Sequence, residues 1–332
     1  MRNYQKSLFI GILIGIIFLS IWGYFFDFSI LWDNVQKLNA AYLGLSIFSY
    51  ILAYFIRSVR WNRLLLPLKK VTLRQTYLWS LCGNFINYLI PIRAGEAARA
   101  ILIKKGTNTP ISLVLPSIFI DKFFDTIGIF IILIMIPLID IEIVPILQWL
   151  VIVLLFVFIV GIAILISAII AEKRLKIILK KVFFFVPDKY QTKLNSMIDM
   201  FVSGTALFKN HHKILFEVIF LTIIGIVLDG LYFYLMFKAF GFSSVNIPMI
   251  FFGYTLLNLS YILPQPPGQI GSNELLMSLI FVSGMGMNYA DAGSLITVAH
   301  LLTGFVVTVL GVLSLSVIGV RIVDLIDRSN NE

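Results

Sequence analysis

The chain has 332 residues, of which 59% are hydrophobic and only 13% are charged. A water-soluble domain carries roughly 25% charged residues, so the composition indicates a polytopic membrane protein and leaves no room for a separate soluble catalytic domain. The net charge of +9 is spread over the loops between apolar segments, which fits membrane topology and not nucleic-acid binding. A single cysteine, Cys82, excludes an internal disulfide and a cysteine-based metal site.

Taken in chain order, apolar stretches long enough to span run over roughly 8–26, 40–56, 111–137, 146–170, 214–237 and 293–320. The first follows Arg2 and Lys6 but lacks a small-residue cleavage site after Tyr24-Phe25-Phe26-Asp27, so it reads as an uncleaved helix. Two weaker apolar regions, about 76–105 and 248–284, lie between the spans. The connections 57–75 and 172–213 are rich in lysine and arginine and are expected on the cytoplasmic side, together with both termini. The connections near 27–39, 138–145 and 239–247 carry only Lys37 and Lys238 as cations and are expected outside. The 172–213 connection also carries Phe183, Phe184 and Phe185 among its lysines, a mixture that fits an amphipathic helix on anionic lipid.

Each weaker region contains a polar, proline-broken motif. The first is Asn84 to Glu96 (NFINYLIPIRAGE), and the second is Asn258 to Glu274 (NLSYILPQPPGQIGSNE). Such backbone is tolerated at membrane depth only where it is buried in protein or lines a wet cavity. Arg93, Arg99, Lys104 and Lys105 put the end of the first region on the same side as the basic connection 57–75. The first region is then a re-entrant hairpin from the cytoplasmic face, and the same parity makes the second a hairpin from the outer face. Opposed hairpins at corresponding positions are the mark of an inverted-topology repeat. Eight simple spans with polar kinks are the alternative.

The residue types within the motifs suggest their chemistry. Pro91 breaks or kinks a helix, and Gly95 permits a sharp turn or a close headgroup approach. Arg93 and Arg99 are guanidiniums suited to bidentate phosphate binding, with Glu96 between them to neutralise them or accept a proton. Alternatively, the two arginines are snorkelling anchors. Asn84 and Asn87 can satisfy backbone groups freed at the break. In the second motif Pro264, Pro266 and Pro267 force a bend, Gly268 and Gly271 relieve crowding, and Gln265, Gln269, Ser272 and Asn273 offer hydrogen bonds. Glu274 is its only ion and is read as functional or as paired with Arg93, Arg99 or Lys122.

Other charges fall inside the apolar segments. Asp121 and Asp125 are one turn apart on one helix face, with Lys122 offset from it. Asp229 sits near the middle of its helix, as a proton carrier or the partner of a buried cation. His300 reads as packed or hydrogen-bonded. No P-loop and no zinc motif occurs, so neither enzymatic activity nor a metal or cofactor is expected.

The segment GNFINYLIPIRAGEAAR, followed by DKFFD at Asp121 to Asp125 and later by PPGQIGSNE, resembles the flippase-like transmembrane region of lysylphosphatidylglycerol synthases. The resemblance spans about 8–320. It departs from the family pattern in having Asp121-Lys122 where an acidic–arginine pair is usual, and in a more proline-rich second signature. The family's aminoacyl-transferase domain has no counterpart here, so lysyl-lipid synthesis is not expected.

Together these readings predict one all-α transmembrane domain over 1–332, with about six full spans and two re-entrant hairpins in pseudo-inverted halves. The halves cover about 40–137, with hairpin 76–105, and about 214–320, with hairpin 248–284, separated by the basic connection 172–213. The expected function is translocation of an anionic, phosphate-bearing lipid, a phospholipid or a polyprenyl-phosphate carrier, across the cell membrane. Substrate contacts are expected from Asn84, Asn87, Arg93, Gly95, Glu96, Arg99, Gln265, Gly268, Gly271 and Glu274. Asp121, Lys122, Asp125 and Asp229 are expected to form a charge or coupling network. The partners are membrane lipids, with a second copy of the chain and a separate lipid-modifying enzyme as further candidates. The rival readings are a component of lipid-linked glycosyl or aminoacyl transfer, and a proton-coupled small-solute transporter.

Overall fold

The computed structural model describes residues 2–26, 28–90, 94–135, 145–242, 245–260 and 265–320, and these are helical with short connections. The helices are α1 (Arg2–Phe25), α2 (Phe28–Gln36), α3 (Ala40–Leu65), α4 (Leu73–Leu89), α5 (Gly95–Thr107), α6 (Ile111–Met135) and α7 (Pro145–Ile170). They continue with α8 (Glu172–Val182), α9 (Asp188–Ala206), α10 (His212–Ala239), α11 (Ile247–Ser260), α12 (Ser272–Met285) and α13 (Tyr289–Ile318). Local chemistry sets several ends. Asn39 accepts from the amides of Ala41 and Tyr42 at the start of α3, and Thr72 and Gln75 form a capping box at α4. Asn288 caps α13, which stops at Gly319 in the left-handed region (φ 72°).

Among the described residues, α3, α10 and α13 are long and apolar enough to cross a membrane. By contrast α5, α11 and α12 have 13, 14 and 14 residues, short of the ~20 that a full crossing needs. Each packs in a helix pair, α4 with α5 and α11 with α12, at the two places where the sequence carries its broken motif.

The packing of the second half repeats that of the first. The pairs α3–α4, α4–α5, α5–α6 and α3–α6 correspond to α10–α11, α11–α12, α12–α13 and α10–α13. Contacts between halves exchange in the same way, α4–α13 with α6–α11 and α3–α13 with α6–α10, around a central α3–α10 pair. Small residues let that central pair approach closely. Ser46, Ser49 and Ala53 are buried on α3, and the Ser49 hydroxyl donates to the Leu228 carbonyl at 2.8 Å. Each half also gathers an apolar core, one around Trp61, Phe85, Leu102 and Phe124, the other around Phe233, Phe237, Met277 and Phe281.

Two features differ from the sequence reading. Helix α3 runs to Leu65, past the expected end at 56, so Arg57, Arg60 and Arg63 are helical and not part of a loop. Arg60 is only 2% exposed, because two carboxylates of α6 receive it. The basic 172–213 connection is likewise helical. Leu175 of α8 and Ile198 and Val202 of α9 form a small core with Ala168, and Lys180 reaches Asp199 at 2.9 Å. The hydrogen bond from Lys176 holds the Glu172 carboxyl below the usual glutamate range.

Candidate functional site

Arg57 and Arg60 lie three residues apart on α3, so they project toward one side of the helix. There they meet carboxylates from α6 and α10. Arg60 donates from Nε to Asp121 at 3.0 Å and reaches Asp125 at 2.5 Å and the Thr222 hydroxyl at 3.3 Å. Arg57 pairs with Asp229, whose carboxylate also accepts from the Tyr254 hydroxyl of α11, and its Nε lies 4.0 Å from Asp125. The shared face of Asp121 and Asp125 is what lets one guanidinium bind both. Lys122, offset from that face, lies 3.5 Å from Asp125 and 3.3 Å from Glu96 of α5.

The first hairpin is held by its own motif. The Asn87 carboxamide accepts the Gly95 amide at 2.7 Å and donates to Glu96 at 3.1 Å, so one side chain satisfies the start of α5 and fixes the glutamate. A Cβ on Gly95 would come within 2.0 Å of the Gly83 carbonyl, so this glycine serves the close approach of α4 and α5. Arg99 is 5% exposed, bonds Asp121 at 2.9 Å and lies 3.6 Å from the centre of the Trp61 ring. Arg99, expected among the headgroup contacts, is thus placed behind the cavity lining, on Asp121 and Trp61. Arg93 and Pro91 lie outside the described residues, as does Pro264.

The second hairpin turns through Gly268 (φ 65°), Gln269 (φ 57°) and Gly271 (φ 82°). A Cβ on Gly271 would press the α1 backbone at Gly15, so the glycine lets α1 pass over the turn. Glu274 accepts the Gly271 amide at 2.7 Å and pairs with His300 of α13. Its partner is thus His300, and not Arg99 or Lys122. The other ring nitrogen of His300 faces the Gly268 carbonyl at 2.8 Å. A carbonyl only accepts, so that nitrogen is the donor of this contact.

Between the halves lies a cavity of about 520 Å³, a size ordinary for ligand sites. Of the residues expected at the site, Asn84, Asn87, Glu96, Lys122, Asp125, Asp229 and Gln265 line it. Gly95, Arg99, Gly268, Gly271, Glu274 and Asp121 stand behind this lining and hold its framework. Sequence reasoning missed Arg57, Arg60 and Tyr254, all of which line the cavity. A signal for the arginines was available, since Arg57 and Arg60 continue in helical register the side of α3 that carries Ser46, Ser49 and Ala53. Among the described residues of the network, Arg57, Arg60, Arg99 and Lys122 supply four positive charges against four negative from Glu96, Asp121, Asp125 and Asp229.

No curated protein matches the chain. The family model described as the lysylphosphatidylglycerol synthase TM region matches residues 8–311, from α1 into α13 and through both hairpins and the cavity. The match covers most of the 332 residues, and the chain belongs to the family of the lysylphosphatidylglycerol synthase transmembrane region.

Proposed function

We propose that this protein moves an anionic, phosphate-bearing lipid between the leaflets of the cell membrane, without performing chemistry on it. In this reading it has about six full spans with both termini cytoplasmic, and its two hairpins are re-entrant from opposite faces. The observation that carries the proposal is the charged cavity between the halves, where Arg57, Arg60 and Lys122 meet polar side chains of both hairpins. Guanidiniums and an ammonium suit a phosphate headgroup, while Asn84, Asn87, Gln265, Gln269 and Asn273 give a polar path through apolar surroundings. Charges this deep in an apolar protein are costly and mark transport pathways. The exchange of packing between the halves supports alternating access, in which one half rocks against the other around a central site. Membership of the family supports a link to lipid modification or translocation.

Reconstitution into vesicles with a fluorescent phospholipid tests the proposal. Transbilayer movement is expected to rise with protein content and to fall at least tenfold in the Arg57→Gln/Lys122→Gln variant, since each lost charged contact is worth about 1.5–3 kcal/mol. Movement that is unchanged in that variant would remove the cavity from the pathway.

A further inference from the structure

Among the carboxylates of the network, Asp125 has a distinctive position. Among the described residues it alone lies within 4.0 Å of three cationic side chains, at 4.0 Å from Arg57, 2.5 Å from Arg60 and 3.5 Å from Lys122. Asp121 touches Arg60 and Arg99, Asp229 touches Arg57, and Glu96 touches Lys122. We propose that Asp125 acts as an internal anion in the headgroup site, and that a phosphodiester monoanion displaces it from Arg57, Arg60 and Lys122. Use of the site by a transported lipid rests on the function proposed above, whereas the site itself rests on the three contacts.

Three further observations support displacement. The Asp125 side chain is 32% exposed, against 5% for Asp121 and 6% for Asp229, and it lines the cavity, so it can swing aside into open space. Every cation that it leaves keeps another carboxylate: Arg57 keeps Asp229, Arg60 keeps Asp121 and Lys122 keeps Glu96. No buried charge is orphaned, which is the costly outcome when an ion pair opens. The charge balance then selects the ligand. Among the described residues of the network, four cations face four carboxylates, so turning Asp125 away leaves its three cations one negative charge short. A phosphodiester, with one negative charge, restores neutrality. A phosphomonoester dianion would overshoot it in surroundings of low dielectric, where excess charge is poorly solvated. The forked guanidiniums suit the two non-bridging oxygens of a diester, and the hydroxyl of Tyr254, already 3.1 Å from Arg57, stands beside them.

The test measures binding and not transport. Purified full-length protein in detergent is titrated with dihexanoyl phosphatidylglycerol, the diester probe, and binding is read by calorimetry. Asp125→Asn keeps the size of the side chain and removes its charge, and is expected to bind about tenfold more tightly than the wild type. Asp125→Glu, which can still occupy the cations, is expected to show no gain, and Lys122→Gln added to Asp125→Asn is expected to cancel it. Dihexanoyl phosphatidic acid, a monoester, is expected to bind the wild type more weakly than the diester, and the neutral diacylglycerol is expected to show no tightening.

Glycerophosphoglycerol, which has the headgroup but no chains, separates the sources. Tightening for this probe as well assigns the site to the phosphate alone, and tightening for the lipid alone assigns it to the intact lipid. Unchanged or weaker diester binding by Asp125→Asn, or equal tightening for diacylglycerol, would overturn the proposal. A second measurement needs no variant. Saturating diester is expected to raise carbodiimide labelling of Asp125 in the wild type, read by peptide mass spectrometry, because the carboxylate leaves its cations. Labelling that falls or stays constant would also overturn it. Diester binding of this kind by a protein that moves no lipid would refute translocation and leave the site standing. Active translocation without these binding changes would do the reverse.

Discussion

The pair between Arg57 and Asp229 joins the two central helices, and its partners differ in what they keep when the other is removed. Arg57→Gln leaves the buried Asp229 carboxylate with the Tyr254 hydroxyl as its remaining hydrogen-bond donor among the described contacts. A buried charge stripped of its counter-ion costs about 3–5 kcal/mol. Asp229→Asn is milder. The Arg57 side chain is 26% exposed to the cavity and keeps Asp125 at 4.0 Å and Tyr254 at 3.1 Å, so the cost is about 1–2 kcal/mol. The double variant, Arg57→Gln with Asp229→Asn, leaves two amides that can bond each other, for a loss of about 1–2 kcal/mol. The expected coupling is therefore about 2–6 kcal/mol. Unfolding free energies from steric trapping in bicelles would measure all three. Equal single-variant costs, a greater cost for Asp229→Asn, or a coupling below about 0.5 kcal/mol would refute the argument that the pair is a desolvated contact between α3 and α10.

Substitutions at Gly95 and Glu274 probe the two motifs. Gly95→Ala places a methyl group against the Gly83 carbonyl, which as backbone cannot move aside cheaply, and is expected to cost about 2–3 kcal/mol. Gly44→Ala in α3 has nothing within 4 Å and is expected to gain about 0.5–1 kcal/mol; comparable thermal stability of the two variants would show that crowding does not govern Gly95. At the second hairpin, Glu274→Gln can still accept from Gly271 and donate to His300, so it should fold with wild-type stability, whereas Glu274→Ala should lose about 1–3 kcal/mol. Protection of the Gly271 amide against hydrogen exchange would distinguish them, and protection surviving in Glu274→Ala would exclude the cap.

The broken motifs were legible because the signals are local. Asn87 and Gly95 are eight residues apart and bond each other directly, and the α12 start uses Glu274 on Gly271 three residues away. The end of α3 was less legible from hydropathy alone. Arg57 and Arg60 lower the hydropathy of the last turns of α3 as a loop would, and only the carboxylates of α6 and α10 reveal that the helix continues. For the same reason the contacts of Arg99 with Asp121 and Trp61 were not legible, since neither pairing follows from the motif that contains it.

Composition, apolar segment length and the placement of proline, glycine and asparagine thus determined an all-helical membrane protein and the family to which it belongs. These properties depend on backbone hydrogen bonding and on transfer from water, which act residue by residue and along short stretches. Which cation faces which carboxylate was decided by tertiary structure. Arg57 and Asp229 are 172 residues apart, and Arg60 and Asp125 are 65 apart. Any of the basic residues could have filled these places so far as composition is concerned. The close packing of α3 on α10 and the face shared by Asp121 and Asp125 selected Arg57 and Arg60, because a charge taken out of water must end within reach of its counter-ion.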